Sequence, residues 1–291
     1  MMRETAVKKL VVVTGVMLVV GVVVLASFLI VQYRRARLNI VDAVLAGHAG
    51  NVRMCLDTGQ SPDRKNAAGY APLHVAAGNG EENILKILLA SGADINILDA
   101  EGCTPLDHAM WRERWDIAKM LIAAGANVNL KNPDGYAPIS RAVDADNEKL
   151  LRFLIAVGAD VNATIPNGDT PLHHALFFQH PNLAKILIAA GANVNQQNDL
   201  GDTPLHDVAP RVFGQNTGYV DLLLASGAKV DIKNKRGATA LHGAASSKLE
   251  YTVEMLLKAG ANPDEKDNEG ETPRAIAPEL FPPERGKKKG G

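Results

Sequence analysis

The sequence predicts an all-α fold: a helical solenoid with projecting β-hairpin loops, preceded by one N-terminal transmembrane helix. Three observations carry that reading. A short motif opening on glycine returns seven times at a near-constant step. A second motif keeps the same step in fixed phase with the first. A 22-residue run without a charged side chain, Leu10 to Val31, precedes both.

The first motif reads GYAPLHVA from Gly69, GCTPLDHA from Gly102, GYAPISRA from Gly135 and GDTPLHHA from Gly168. It continues as GDTPLHDV from Gly201, GATALHGA from Gly237 and GETPRAIA from Gly270. Successive glycines are separated by 33, 33, 33, 33, 36 and 33 residues. The second motif, Gly-Ala-Asp/Asn-Val-Asn or a close variant, begins at Gly92, Gly125, Gly158, Gly191, Gly227 and Gly260. One step back from Gly92 lies Gly59, so a divergent first unit occupies about residues 37–68.

Each unit is readable as physics. Threonine is a good N-cap and proline suits the first helical position, so Thr-Pro opens a first helix. The next Leu points to the core, and the small Ala one turn on lets neighbouring helices approach. A second helix carries an apolar stripe at i, i+3, i+4 spacing, as in Ile84, Ile87 and Leu88 or Leu183, Ile186 and Leu187. Glycines such as Gly92 and Gly191 end it, because a left-handed C′ position favours glycine. The polar, turn-rich segment that follows is expected to project as a hairpin. One unit cannot bury its own apolar face, so units must stack.

These two phased motifs resemble the ankyrin repeat family over about residues 37–277. The resemblance implies about seven units and a truncated C-terminal cap over 38–277, and a concave face made by first helices and hairpin tips. It also implies that the motif histidines, His74, His173, His206 and His242, bond within and between turns as structural groups. At the ends, Leu38 and Asn39 replace Thr-Pro, and Arg274 stands where the full units have Leu or Ile. A charge there fits a terminal unit with nothing packed outside it. Residues 278–291, rich in Pro, Gly and Lys, are expected to be a disordered basic tail.

Ahead of the repeats, residues 1–9 form a short tail, 10–31 the membrane span and 32–37 a basic juxtamembrane linker. At about 1.5 Å per residue the span covers roughly 33 Å, enough for the hydrocarbon core. Tyr33, Arg34, Arg35 and Arg37 follow as interfacial anchors. A cleaved signal peptide ending before Ser27 is the competing reading, but the apolar run continues through Phe28, Leu29, Ile30 and Val31. Arg3, Lys8 and Lys9 balance Arg34, Arg35 and Arg37. The flanks therefore do not fix the orientation; the expectation taken is a repeat domain on the exported side of a single-pass protein.

Net charge is −1 over 291 residues, but residues 1–37 carry +5 and 278–291 carry +2, leaving −8 on the 240 between. An acidic body argues against nucleic acid as partner. No GxSxG, HExxH, P-loop or GxGxxG occurs, and His173-His174 has no third metal ligand at fixed spacing. No catalytic residue, cofactor or metal is expected. Cys55 and Cys103 have no metal spacing and imply no disulfide framework.

The expected function is protein binding through residues seven to thirteen beyond each motif glycine. There the chain places Trp111, Arg112, Arg114 and Trp115, then Asp144 and Asp146 with Arg141 just before them, then Phe177, Phe178 and His180. Arg211 and Phe213 follow, in a three-residue insertion. Trp, Phe and Arg dominate interface energies. Trp115 and Phe178 could equally pad the gap between neighbouring helices, and Asp144 and Asp146 beside the rings suit a partner with apolar and basic groups. A narrower reading is an immunity-type inhibitor of a toxic enzyme, by analogy; a different class is a stress-response accessory protein that binds a small ligand or redox signal through a thiol at Cys103, two residues before Pro105.

Overall fold

The computed structural model describes residues 23–26, 38–211 and 218–281. The expected span at 10–31 lies outside these apart from 23–26, which are helical, and the linker at 32–37 lies outside them too. Among the described residues no helix is long and apolar enough to cross a membrane. The chain divides into two compact units, the division falling after Ala118.

Up to that division the helices are α1 (Ile40–Leu45), α2 (Ala49–Asp57), α3 (Pro72–Asn79), α4 (Glu82–Ala90) and α5 (Pro105–Trp111), and α6 (Trp115–Ala123) runs across it. The second unit continues with α7 (Pro138–Asp144), α8 (Glu148–Ala156), α9 (Pro171–Phe177), α10 (Pro181–Ala189), α11 (Pro204–Val208) and α12 (Gly218–Ala225). It ends with α13 (Ala240–Ser246), α14 (Glu250–Lys258) and α15 (Pro273–Ile276). First helices pack on first helices: α1 on α3 and α3 on α5 in the first unit, then α7, α9, α11, α13 and α15 in succession in the second. Second helices form a parallel layer, α2 on α4, α8 on α10 and α12 on α14. Between the layers lie Leu73, Leu85 and Leu88 in the first unit, and Leu150, Leu154, Leu172, Leu176 and Leu187 in the second, each fully buried. α11 has 5 residues where α9 has 7, because Pro210 has no N–H with which to continue the helix.

The helix starts are where sequence becomes structure. Thr104, Thr170, Thr203, Thr239 and Thr272 are N-caps with extended backbone. In the His-bearing repeats the ring completes the cap. Nδ1 of His173 accepts from the Thr170 N–H at 3.1 Å, and its Nε2 lies 3.3 Å from the Asp202 carbonyl of the next repeat. His206 does the same with Thr203 and the Ala238 carbonyl, at 3.2 and 3.1 Å, and His242 with Thr239 and the Glu271 carbonyl. His74 bonds the Ala71 N–H and the Cys103 carbonyl. The structural role that the resemblance implied for these histidines is what the geometry shows. Burial holds the imidazoles of His74, His173 and His206 below their ordinary pKa, so they bridge as neutral rings.

The hairpins differ from expectation: among the described residues they contain no strand. Each is a pair of turns closed locally, as where Asn198 N–H donates to the Asp202 carbonyl. Neighbouring loops share single backbone bonds, Asp199 N–H to Asn167 O, Lys235 N–H to Leu200 O and Asn268 N–H to Arg236 O, too few to propagate a ladder. Side chains supply the rest: Asn129, Asn162 and Asn195 accept from the backbone N–H of Asp160, Asn193 and Lys229, each in the following repeat, at 2.8 Å. The loops approach so closely at Gly168 that a Cβ there would lie 2.6 Å from the Asp199 nitrogen, on a backbone with φ of +79°. Only glycine meets both conditions.

The ends are closed by different devices. Asn39 caps α1 through the Val41 N–H, and Gln60 bridges the Ile40 N–H and the Leu38 carbonyl. At the other end the expected tail boundary at 278 moves outward. Pro278–Leu280 form a 3-10 turn, and Phe281 is buried beneath Arg274, whose guanidinium sits 5.7 Å from the ring centre. Arg274 also grips Asp264 with two bonds. A single aromatic residue therefore serves as the closing wedge where composition suggested disorder; residues 282–291 lie outside the described ones.

The repeat that begins at Gly135 lacks the cap. Ala137 stands for Thr and Ser140 for His, and Ser140 Oγ is buried without a hydrogen-bond partner. The double substitution Ala137→Thr with Ser140→His should supply the cap and, by the 29-residue register of the His173 bridge, reach the Asp169 carbonyl. A gain of about 1–2 kcal/mol in stability is expected, measured by chemical denaturation; unchanged or reduced stability would show that the site cannot accept the ring.

Candidate partner-binding surface

Each unit carries an aromatic cluster, one reaching from the start of α3 to the end of α5 and the other at the C-terminal end of α9. In the first unit Tyr70, His74, His108 and Trp111 meet edge to face, with neighbouring ring centres 5.2 to 6.5 Å apart. His108 Nε2 donates to Asp99 at 2.8 Å. Burial pushes the Asp99 carboxyl up, but that bond and the N–H groups of Cys103 and Glu101 outweigh it and hold the group below the carboxylate range. Tyr70, His108 and Arg112 line a shallow groove of about 200 Å³ with Leu45 and Gly78. Trp111 and Trp115 are half-buried and Arg112 is exposed.

In the second unit the rings are far more open. Phe177, the last residue of α9, is 52% exposed and Phe178 is 48% exposed, with centres 5.1 Å apart and planes near perpendicular. The padding role considered for Phe178 does not fit so open a ring. His174 lies edge-on to Phe178 at 5.7 Å and donates through Nδ1 to Asp144 at 2.8 Å. His180 reaches Asp146 at 3.2 Å. The Arg211 guanidinium covers Phe177 at 4.5 Å from its centre. A continuous patch thus joins Asp144, His174, Phe178, Phe177 and Arg211. Of the residues singled out in the sequence, Asp144, Phe177, Phe178 and Arg211 are brought together here. Arg141 is half-buried on α7 without a bond into the patch, and Phe213 lies outside the described residues.

The sequence reading missed the carboxylate beside this patch. Asp207 lies on α11, at the repeat position filled by His174 on α9 and Gly243 on α13. Burial, then the charges of Asp169 and Asp202, push its carboxyl up to about 7, against partial relief from Arg211 and His174. Comparing that column across repeats would have exposed an acid among neutral and basic residues.

Among the described residues two groupings have ligand atoms close enough for a metal, His74 with Asp99 and His108, and Asp169 with His173 and Asp207. Both ring nitrogens of His74 and of His173 are already committed to helix caps and neighbouring carbonyls. Metal binding would cost those bridges. The redox reading fares no better: Cys103 is 2% exposed and Cys55 is buried as well, leaving oxidants no access, and burial pushes the Cys55 thiol up.

Asp207 makes a pH prediction with a definite sign. Its pKa is higher folded than in the ordinary 3.8 range, so the folded chain holds more protons between those values. Its contribution to stability is therefore lost as pH rises through about 7. Asp207→Asn should stabilise the protein at pH 8 by about 1–3 kcal/mol and by almost nothing near pH 4. Denaturation curves at the two pH values test this; a variant less stable than the parent at pH 8 would contradict it.

A family model described as ankyrin repeats in three copies matches residues 40–132, 116–198, 139–231 and 183–267. A curated relative, ankyrin repeat-containing protein P1E11.10 of Schizosaccharomyces pombe, is 42% identical over 59 residues, 20% of this chain and 28% of that protein. The chain thus matches under a third of that relative's length. Among solved structures, the human ASB11 ankyrin repeat domain superposes with a TM-score of 0.60 at 27% identity, covering 78% of this chain and all of that one. Phased motifs, paired helices with bridging histidines and a family match over most of the chain agree: this protein belongs to the ankyrin repeat family.

Proposed function

We propose that this chain is a membrane-tethered interaction module that holds a partner protein on the aromatic surface of its second unit. The supporting observation is the adjacent pair Phe177 and Phe178, both about half exposed. Contiguous apolar surface on a folded domain marks an interaction site more often than it is tolerated idly. The ankyrin fold supplies rigid helix ends that carry such side chains, and the family is one of interaction modules. The tether rests on the uncharged run at 10–31 with basic residues on either side.

Two measurements test the reading. The full chain should stay in the membrane pellet through an alkaline carbonate wash, and a chain starting at Leu38 should be released; release of both would remove the tether. Protein recovered with the full chain by crosslinking in its native membrane should be lost with Phe177→Ala, Phe178→Ala. Truncating two interface aromatics is expected to cost about 2 kcal/mol or more, roughly thirtyfold in affinity, with helical circular dichroism unchanged. A double variant that folds and binds at full strength would place the partner elsewhere.

A further inference from the structure

Beside the exposed phenylalanines the second unit holds a carboxyl group that it does not pair itself. Among the described residues the Asp207 carboxylate, half-buried, receives no hydrogen bond. Its acidic neighbours are fixed in place. Asp169 accepts from the side chains of Asn167 and Asn198 at 2.6 and 2.8 Å, and Asp202 accepts from Asn234 at 2.7 Å. The cationic groups nearest to hand are engaged otherwise, Arg211 over the Phe177 ring and His174 with Asp144. Next to this lies a cavity of about 610 Å³, bordered by Asp202, His206, Pro210, Asn234 and Gly243. At Gly243, the repeat position held by Asp207 and His174, an added Cβ would already meet Pro210 at 3.3 Å.

We propose that Asp207 and its neighbours Asp169 and Asp202 seat a lysine or arginine side chain of the partner protein, while Phe177 and Phe178 pack against an apolar residue beside it in the partner's chain. This rests on the interaction-module reading and names the chemistry of its partner. Charge complementarity selects the occupant. An anionic or purely apolar segment would leave the Asp207 carboxylate unpaired, whereas one cation satisfies it and screens Asp169 and Asp202. The cavity bordered by Asp202 and Asn234 leaves room beside the seat for the partner's chain. Binding should also strengthen with pH. The cation needs the ionised carboxylate, and the groups facing Asp207 (Asp169, Asp202, Arg211, His173 and His174) leave its proton in place near neutrality.

The test is a selection of random twelve-residue peptides, displayed on phage, against the full chain in detergent micelles at pH 8. The winners are then synthesised and their affinities measured by fluorescence anisotropy. The expected result is enrichment of sequences with Lys or Arg next to an aromatic or branched aliphatic residue. Replacing that basic residue by Gln should weaken binding at least tenfold, as should Asp207→Asn, and the two changes together should cost little more than either alone. The peptide-side change leaves the protein untouched, so a folding defect cannot mimic it. The same peptide should bind more weakly at pH 6 than at pH 8. Peptides whose binding depends on Phe177 but is indifferent to a basic residue and to Asp207→Asn would overturn this inference and leave the docking reading standing. If no selected peptide is sensitive to Phe177→Ala, both fall.

Discussion

His206 is buried with both ring nitrogens committed, one to the cap of its own helix and one to a carbonyl in the following repeat. This bridging ring is the constraint on which the stack depends. A helix of 5 to 8 residues is too short to persist alone, and its first N–H groups need an acceptor. Thr and His provide one, and the ring's other nitrogen finds a carbonyl to donate to only when the next repeat is in register. Local helix start and long-range stacking are thus one interaction. The asparagines of the loops repeat the logic, with Asn162 and Asn195 accepting from backbone N–H groups about one repeat onward.

That division of labour frees the far end of each first helix. The cap and the buried leucines fix the helix, so residues after the last motif Ala can vary without disturbing the fold. Phe177 and Phe178 stand there, and so does Trp111 in the first unit. Asp207 is a different case, because it sits within the helix and its burial weakens the folded state at neutral and higher pH. A residue that lowers stability without any bond to justify it is what a surface awaiting an oppositely charged partner would carry.

The fold was legible because its information is local and repeated. Thr-Pro-Leu-His specifies a cap, a first turn, a core contact and a bridge within four residues, and a 33-residue step does the stacking. The exposed pair Phe177 and Phe178 was legible for a related reason, since its distance from Gly168 puts it beyond the core positions. Asp207 was not, because the acids that shift it come from the loops before α9 and α11, which only stacking brings together. The loops were misread as strands because their composition encodes turns, and strand pairing is a property of neighbours. Phe281 was misread because a lone aromatic in a Pro-rich stretch shows no periodicity, and its burial depends on Arg274 and the last helix.

The central claim, that one ring couples capping to stacking, is tested most directly by amide hydrogen exchange on His206→Ala. The account predicts faster exchange in two places at once: in α11, which loses its cap, and in the Asn234–Thr239 loop of the next repeat, which loses its donor. Acceleration confined to Thr203–Val208, with the following loop as protected as in the parent, would contradict it.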